Sequence, residues 1–516
     1  MINPIFHNTF AKTVNFGNSK VNMVYMNDMH GSLSNVDAFI TGRDEFYRQN
    51  KEGTNWTVSG GDMFIKGSKN NPVVAKFIAQ KVDVLTPGNH DLSNSTDFSN
   101  LLDAEKISHK FTSMNLSVEK NSPLDGKIAK STIIQEGAEK IGFIGVSPFD
   151  FDAHVSRDAN NDFISIKDFK TTIDSIKKEV ANIESQGVNK IVLLAHTGQY
   201  SNVTSGIDYY KAFAKIGGID VIVGGHDHIM TDEWETSTRR KENGELEPVR
   251  VVATGNSGQN YFAGNLNMFG TMNLEFDDNG VLVKEKCSNK IHSTHDYAPA
   301  EFINKYMSPN AQTVLGSLPT SVVNTSNPLR TENKVGNLVA DSDFAYAKAH
   351  STKGNAPDFA FVNAGTIRDV FPEKDVTKFR LHQVLPFKES IVKAELSKKQ
   401  IYEALEISAK SATFKKATPG MMQVSHLTYT VNPDSSISDV KILDDEGNVR
   451  FNLEEMNDDD KFTCVYDSFL VSGPNLLGCL KSDVVEDFGV TRYQAMKEYL
   501  SNGNIADYST DRIIVK

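Results

Sequence analysis

The sequence predicts an α/β protein with two domains. Strand-like runs alternate with amphipathic stretches from Val21 to about Asn289, the composition then changes, and a second alternating region follows. The chain has 516 residues, which is enough for two or more hydrophobic cores. We therefore predict a polar tail over 1–20, a first domain over 21–292, a linker with a connecting helix over 293–327, and a second domain over 328–516.

Individual elements follow from hydrophobic periodicity. In the first domain, apolar residues recur at helical spacing in SIKDFKTTIDSIKKEVANIESQG, and the segment GGHDHIMTDEWETSTRRKENGELEPVRVVATGNSG predicts a hairpin. In the second domain, NKVGNLVADSDFAYAKAH predicts a helix, whereas DFAFVNAG, HQVLPF and KFTCVYDSFL predict strands.

Composition excludes several classes of partner. The net charge of −12 argues against nucleic acid or an anionic membrane as the main partner. No apolar stretch approaches the roughly 20 residues of a membrane span. The first twenty residues show no secretory signal, so the sequence by itself predicts a cytoplasmic protein. The three cysteines (Cys287, Cys464 and Cys479) are too few for a disulfide framework and are interpreted as structural thiols.

Five of the six short apolar runs in the first domain end in a residue type that binds metals. The sixth, IGFIGVSPF, ends without one. Strands of an α/β sheet deliver such residues to its carboxyl edge, where ligands bind. The candidate metal ligands are Asp28, His30, Asp62, Asn89, His196, His226 and His228.

These donors predict a pair of divalent cations. Asp28 and His30 are one residue apart, and we expect an extended backbone to place them on one face, as for His226 and His228. Asp62 follows two glycines and can bridge two ions. Each short motif alone is more often a turn or a capping pair, but the ordered set of seven oxygen and imidazole donors suits two ions such as Mn²⁺, Fe²⁺, Zn²⁺ or Ni²⁺.

The order D-x-H, GD, GNHD, H and GHxH resembles the signature of the calcineurin-like metallophosphoesterases. With its second region, the chain is similar to the two-domain 5'-nucleotidase and UDP-sugar hydrolase group of that superfamily. The resemblance implies a four-layer αββα sandwich followed by a C-terminal α/β substrate-binding domain. It also implies two metal sites that share Asp62, one completed by Asp28, His30 and His228 and the other by Asn89, His196 and His226.

The catalytic motif departs from the family pattern. The resemblance places His90 beside the leaving oxygen as general acid or transition-state stabiliser. Asp91, at the position of the family's Glu, is the second candidate catalytic residue. The family's GNHEFD ends in an Asp that pairs with this histidine, whereas GNHDLS has Ser93 there. Asp97 is the nearest candidate substitute.

The second domain carries further similarities. FVNAGTIRDVF resembles the NGGGIR segment, RTENKVGNLVAD the RxxExxxGNLVADA segment, and DSFLVSGPN the NFLAxGGDG segment. The resemblance implies phosphate binding by arginine and stacking of the base on an aromatic ring, with Met421 in place of a second ring. The implied substrate-binding residues are Asn363, Arg368, Arg330, Phe469, Met421 and Asn475.

The resemblance implies hydrolysis of nucleoside 5'-monophosphates by hydroxide bound to the metals, with a small nucleotide as partner and no nucleic acid. One alternative keeps the metals and changes the substrate to a 2',3'-cyclic nucleotide, a UDP-sugar or another nucleotide pyrophosphate. A second alternative is a binding protein that has lost activity. Members of the group are mostly periplasmic or extracellular, and the sequence does not define the oligomeric state.

Overall fold

We describe a computed structural model of the chain. It describes residues 19–155, 157–200, 207–241, 243–255, 268–298, 300–307, 309–323, 331–371, 373–413, 421–471, 475–503 and 505–516.

The first part of the chain contains thirteen described strands and seven described helices. The strands are β1 (Ser19–Met26), β2 (Thr54–Ser59), β3 (Val84–Leu85), β4 (Leu116–Val118), β5 (Ser131–Glu136), β6 (Glu139–Val146), β7 (Ile164–Ile166), β8 (Ile191–Ala195), β9 (Val221–Gly224), β10 (Thr231–Arg240), β11 (Leu246–Ala253), β12 (Met268–Phe276) and β13 (Ser288–Ser293). The helices are α1 (Val36–Gln49), α2 (Asn71–Lys81), α3 (Asn89–Leu92), α4 (Ser95–Glu105), α5 (Phe151–His154), α6 (Phe169–Ser185) and α7 (Tyr209–Ala214).

Two sheets pack face to face between layers of helices. One has the order β13-β12-β1-β2-β3 and the other β10-β11-β9-β8-β6-β5. Alternate residues of β1 explain the layering: Met23 and Tyr25 face the second sheet, whereas Val24 and Met26 face α1 and α2. On the outer face of the second sheet, Ile144 packs with residues of α6. The predicted four-layer αββα sandwich is therefore confirmed.

The remaining chain forms the C-terminal α/β domain. Its strands are β14 (Val314–Ser317), β15 (Phe359–Asn363), β16 (Asp375–Thr377), β17 (Ser390–Ser397), β18 (Met422–Ser425), β19 (Leu427–Val431), β20 (Ile437–Leu443), β21 (Val449–Asn452), β22 (Lys461–Asp467), β23 (Val484–Thr491) and β24 (Ile513–Val515). Its helices are α9 (Lys334–His350), α10 (Lys378–Val384), α11 (Lys398–Thr413), α12 (Ser468–Val471) and α13 (Arg492–Ser501), and the linker before it contains α8 (Phe302–Tyr306).

A five-stranded sheet of order β18-β15-β22-β17-β23 organises this domain. Phe359 and Phe361 of β15 pack with α11, whereas Val362 on the opposite face packs with α9. The predicted helix in NKVGNLVADSDFAYAKAH and the predicted strand in DFAFVNAG are confirmed as α9 and β15. The predicted hairpin of the first domain is confirmed as the antiparallel pair β10 and β11.

Two local predictions differ from the structure. HQVLPF is not a strand, because its first three residues complete α10, whose start is capped by the Thr377 side chain accepting from Arg380 N. The connecting helix is only the five-residue α8. It packs on the first domain, where Ile303 N donates to Asp37 Oδ1 over 3.1 Å.

Hydrogen bonds join the two domains next to the end of β1. Leu33 N donates to Gln383 Oε1 over 2.8 Å, and Ser34 Oγ donates to Asp369. Arg380 Nη1 donates to Ser34 Oγ over 3.0 Å and to Asp369 Oδ2 over 2.9 Å. These contacts hold the C-terminal domain against the loop that follows Asp28 and His30.

Candidate metal centre

The predicted ligands follow the carboxyl ends of five strands. Strands β1, β2 and β3 run parallel in one sheet, and β8 and β9 run parallel in the other. The two sheets place these ends at one edge of the sandwich, where the loops converge. The ligands after β1, β2, β3, β8 and β9 are, in that order, Asp28 and His30, Asp62, Asn89, His196, and His226 and His228.

The backbone brings them together by left-handed turns rather than by extended segments. The expected extended D-x-H and H-x-H geometry is wrong. Residues with positive φ include Asp28 at 56°, His30 at 49°, Asp62 at 54°, His226 at 91° and His228 at 55°. Such values are uncommon outside glycine and cluster at functional sites, where surrounding contacts maintain them.

Main-chain hydrogen bonds maintain this conformation. Asp28 N donates to Gly61 O over 2.9 Å, and His30 N donates to Asp62 O over 2.8 Å. His226 N lies 3.1 Å from Asp28 Oδ2, so the turn after β9 donates to the carboxylate after β1. The loops of the two sheets are thereby fixed to one another.

One group of donors surrounds Asp28. His228 Nε2 lies 3.5 Å from Asp28 Oδ1, and His30 Nε2 lies 3.7 Å from the same oxygen. The two imidazole Nε2 atoms are 3.1 Å apart. All three side chains are almost completely buried. Buried donors this close to one another could hold one cation.

Asp62 and His196 lie between this group and a second one. His196 Nε2 is 3.2 Å from Asp62 Oδ2 and 3.9 Å from Asp28 Oδ1. His30 Nε2 lies 3.8 Å from Asp62 Oδ2. On the far side, His226 Nδ1 lies 3.0 Å from Asn89 Oδ1. Asp62 thus lies between two groups of candidate donors.

Two glycines allow this close approach. A Cβ on Gly88 would lie 2.1 Å from Asp62 Oδ1, and a Cβ on Gly61 would lie 2.6 Å from His196 Nδ1. Gly61 also has φ of 103°. Any side chain at these positions would displace a candidate ligand, which explains glycine in the GD and GNHD motifs.

The negative charges around His196 suit a bound cation. His196 Nδ1 lies 2.7 Å from Gly60 O, while its buried Nε2 makes no hydrogen bond of acceptable geometry within the described part of the chain. Burial alone would lower the pKa of His196, but Asp62 and Asp28 raise it to about 10. The carboxylates therefore attract positive charge to this nitrogen, and a divalent ion would supply it.

His90 lies against the first group of donors. Its ring is 4.5 Å from that of His30 in an edge arrangement, and its main-chain N donates to Asp62 Oδ1 over 2.8 Å. Burial lowers the pKa of His90 to about 3, with Asp62 opposing this shift and Arg368 adding to it. In the metal-free protein the imidazole is therefore neutral.

Asp91, which is predicted to be catalytic, contacts the main chain of two turns beside the donor cluster. Its carboxylate is buried and accepts hydrogen bonds from three main-chain N–H groups: Asp62 N at 3.0 Å, Phe64 N at 2.7 Å and Gly88 N at 2.8 Å. Burial and the Asp62 charge raise the pKa of Asp91 to about 7. Asp91 ties the GD turn to the GNHD turn and so fixes the position of Asp62 and Asn89.

Neither candidate partner of the His90 ring is turned toward it. Ser93 Oγ donates to the main-chain carbonyl of His90 over 2.8 Å. Asp97 is exposed and accepts from Asn94 Nδ2 over 2.6 Å at the start of α4. Asp97 is thus part of a helix cap and does not replace the family's aspartate.

The structure adds two residues that sequence reasoning missed. Asp150 follows β6, the strand expected to end without a ligand, and its Oδ1 lies 3.1 Å from His226 Nε2. His154 Nε2 lies 3.2 Å from Asp150 Oδ2. Their i, i+4 spacing in DFDAH was the available signal, because it places both side chains on one side of a helical turn.

Arg368 of the C-terminal domain faces the same site. Its charge lowers the pKa of both His90 and His228, which requires the guanidinium to be near them. Burial lowers the pKa of Arg368 itself to about 10. Asn363 shapes the turn before it, since Asn363 Oδ1 accepts from Gly365 N over 3.1 Å. A cation from the second domain therefore contributes to the electrostatics of the candidate site.

Models of two protein families match consecutive parts of the chain. The calcineurin-like phosphoesterase model matches residues 22–230, and the model of the 5'-nucleotidase C-terminal domain matches residues 314–481. The chain belongs to the two-domain 5'-nucleotidase group of the calcineurin-like metallophosphoesterases. It is therefore a member of a family of phosphoric-ester hydrolases.

Individual relatives of this group are distant in sequence. The chain is 23% identical to 5'-nucleotidase of Mus musculus over 451 residues, covering 81% of this chain and 73% of that protein. It is 25% identical to the trifunctional nucleotide phosphoesterase protein YfkN of Bacillus subtilis over 345 residues, covering 64% of this chain but only 21% of YfkN. The structure of a 5'-nucleotidase precursor from Thermus thermophilus superposes with a TM-score of 0.68 at 21% identity, covering 96% of this chain and 99% of that one, and confirms the fold.

The other predicted substrate-binding residues do not form one group in the described part of the structure. Phe469 lies in α12 with 46% of its surface exposed. Met421 is fully buried in the C-terminal core, so the structure does not bring it to an open surface beside a base. Arg330 and the side chain of Asn475 lie outside the described residues.

A buried arginine links the turn before Arg368 to the helix of Phe469. Arg492 Nη1 donates to Thr366 Oγ1 over 3.0 Å and to Asp467, which immediately precedes α12. Arg492 Nε also donates to Asp343 Oδ2 over 2.6 Å. These charge-assisted bonds fix both segments relative to the central sheet.

No helix among the described residues is both long and apolar enough to cross a bilayer.

Proposed function

We propose that this chain is a 5'-nucleotidase that releases phosphate from nucleoside 5'-monophosphates with the aid of two divalent cations. The observation that carries the proposal is the cluster of buried carboxylate and imidazole donors around Asp62, where the charge of Arg368 from the second domain also acts. A site with metal ligands on one side and a guanidinium on the other suits a phosphomonoester dianion.

The donor cluster supports two cation sites that share Asp62. We propose that Asp28, His30 and His228 complete the first, and that Asn89, His196 and His226 complete the second. The short separations between His30 and His228 and between Asn89 and His226 support this division. Bound divalent ions would polarise the phosphoester and lower the pKa of an attacking water.

The remaining residues of the site would act on the substrate directly. We propose that Arg368 donates parallel hydrogen bonds to phosphate oxygens, a role that suits its planar guanidinium. His90, whose imidazole is neutral, would donate a hydrogen bond to the oxygen that leaves phosphorus, a contribution of about 10²–10³ in rate. Phe469, which is partly exposed, would stack on the base.

A second candidate function is hydrolysis of a cyclic nucleotide or of a nucleotide pyrophosphate such as a UDP-sugar. The burial of Met421 supports this second function, because the base would then stack on the ring of Phe469 alone. Loss of one stacking partner weakens base binding by about 1–3 kcal/mol and relaxes selection of a mononucleotide.

The test is a substrate comparison on metal-reconstituted protein. Protein stripped with EDTA and refilled with Mn²⁺ would be assayed with AMP, UMP, 2',3'-cyclic AMP and UDP-glucose. We expect the highest kcat/KM with a 5'-monophosphate and loss of activity when the metal is removed. Higher kcat/KM for the cyclic nucleotide or UDP-glucose would establish the second function instead.

Two arginine variants test the phosphate site. Arg368→Ala should reduce kcat/KM for AMP by about 10²-fold, because a charge-assisted contact to phosphate contributes about 1.5–3 kcal/mol. Arg450→Ala is the matched control, since Arg450 is an exposed arginine of the same domain that pairs with Asp358. Equal activity of both variants would contradict the assignment of Arg368.

A further inference from the structure

Asp150 contacts a candidate metal ligand from outside the donor cluster. It lies between the end of β6 and α5, and only 8% of its side chain is exposed. Its Oδ1 and Oδ2 lie 3.1 Å and 3.3 Å from His226 Nε2. A nearly buried carboxylate this close to an imidazole nitrogen must be hydrogen-bonded to be tolerated.

The two nitrogens of His226 face different partners. Nδ1 faces Asn89 Oδ1 and therefore the second candidate cation site. Nε2 faces Asp150. A neutral imidazole carries a proton on one nitrogen and a lone pair on the other. Asn89 Oδ1 and Asp150 both only accept, so a neutral imidazole can donate to one of them. A cation held by Nδ1 and Asn89 Oδ1 would use the Nδ1 lone pair, and Asp150 would then accept the proton on Nε2.

His154 supports Asp150 from the solvent side. Its Nε2 lies 3.2 Å from Asp150 Oδ2, and its ring is 5.0 Å from that of His226 in an edge arrangement. The side chain of His154 is 38% exposed, whereas those of Asp150 and His226 are each 8% exposed. Asp150 is thus held between two imidazoles, with the more exposed one on the outside.

We propose that Asp150 is a positioning residue for the second metal site, which fixes the tautomer and ring orientation of His226. A ligand histidine usually donates its second ring N–H to a carboxylate or carbonyl, and the loss of that partner typically weakens metal binding by about 10–100-fold. The inference rests on the proposed metal site but requires no particular substrate.

The experiment measures metal binding rather than turnover. Metal-stripped wild type, Asp150→Ala, Asp150→Asn and His226→Ala would be titrated with Mn²⁺ by calorimetry, which gives the number of ions and their Kd values. Asp152→Ala is the matched control, because Asp152 lies two residues after Asp150 in α5, whereas its side chain is 73% exposed and pairs with Arg157. Tryptophan fluorescence would show that each variant is folded.

We expect two ions in the wild type and in Asp152→Ala. Asp150→Ala should bind the second ion about 10–100-fold more weakly. Asp150→Asn should recover most of that loss, because its amide oxygen still accepts from His226 Nε2. His226→Ala should lose the second ion.

Two results would overturn the proposal. A second-ion Kd in Asp150→Ala equal to that of Asp152→Ala would show that the contact does not affect the metal. Loss of the second ion in Asp150→Asn, as in His226→Ala, would show that Asp150 binds the ion itself. Two bound ions in a wild type that releases no phosphate from AMP would count against the proposed function alone.

Discussion

Replacing Asp91 tests whether one buried carboxylate holds the GD and GNHD turns together. In Asp91→Ala, three buried N–H groups (Asp62, Phe64 and Gly88) lose their acceptor. In Asp91→Asn, the amide oxygen can replace Oδ2 and keep two of these bonds, but the NH₂ group then faces Phe64 N–H. Asp91→Ala therefore removes three hydrogen bonds, whereas Asp91→Asn removes one of the same three.

The magnitude follows from these counts. A buried donor left without a partner costs about 1–3 kcal/mol, so Asp91→Asn should destabilise the first domain by about that amount. For Asp91→Ala, three such donors give a loss of unfolding free energy of about 3–9 kcal/mol. A water molecule that enters the space would bond to some of them and reduce the loss to about 3–5 kcal/mol. Asp97→Ala, an exposed change nearby, should cost no more than about 1 kcal/mol.

Urea unfolding followed by tryptophan fluorescence is the suitable assay. The chain has two tryptophans, Trp56 and Trp234, and both lie in the first domain, so the signal reports that domain. Measurements at pH 8 keep Asp91 ionised, because burial and Asp62 raise its pKa to about 7. A midpoint for Asp91→Ala equal to that of Asp97→Ala would refute the reasoning, as would an Asn variant less stable than the Ala variant.

Three further predictions concern metal, pH and the domain contact. Mn²⁺ at about 100 times its Kd should stabilise the first domain by about 2.7 kcal/mol for each bound ion in thermal unfolding, with EDTA reversing the effect; an unchanged Tm would contradict a metal site in the native state. Hydrogen bonding by Thr352 and Lys393 lowers the pKa of Glu486 from 4.5 to about 2, so its stabilising effect is present above pH 4.5 and is lost as pH falls through about 2. The difference in urea midpoint between wild type and Glu486→Gln should therefore shrink from pH 5 to pH 3, and a constant difference would argue against the ion pair. Gln383→Ala removes the acceptor of Leu33 N, which should lower the free energy of unfolding by about 1 kcal/mol in urea denaturation followed by circular dichroism; an unchanged midpoint would contradict this.

The candidate site can be predicted in large part because its ligands directly follow buried strands. Runs such as KIVLLA and DVIVGG are too apolar to lie anywhere but inside a parallel sheet, and the next residue must then lie at the sheet edge. His196 and His226 are identified in this way. Asp150 is missed because three residues separate it from the end of β6, so strand position alone does not determine where its side chain lies.

Local reasoning fails where the deciding contacts come from distant residues. The GNHD motif does not reveal that the carboxylate oxygens of Asp91 accept from the main chain of Asp62, Phe64 and Gly88. The position of Met421 in its motif predicts a place near a base, whereas the core of the second domain buries it completely. In both cases the packing of other segments decides which way the side chain points.

The sequence alone determined the identity and order of the metal donors and the α/β layering, because both depend on hydrophobic periodicity and on the residues that end each strand. Only the tertiary structure decided the left-handed turns at Asp28 and His226, the contact of Asp150 with His226, and the effect of the Arg368 charge on His90 and His228. These features depend on how two sheets and two domains pack together, and packing between segments that are far apart along the chain leaves no local pattern in the sequence.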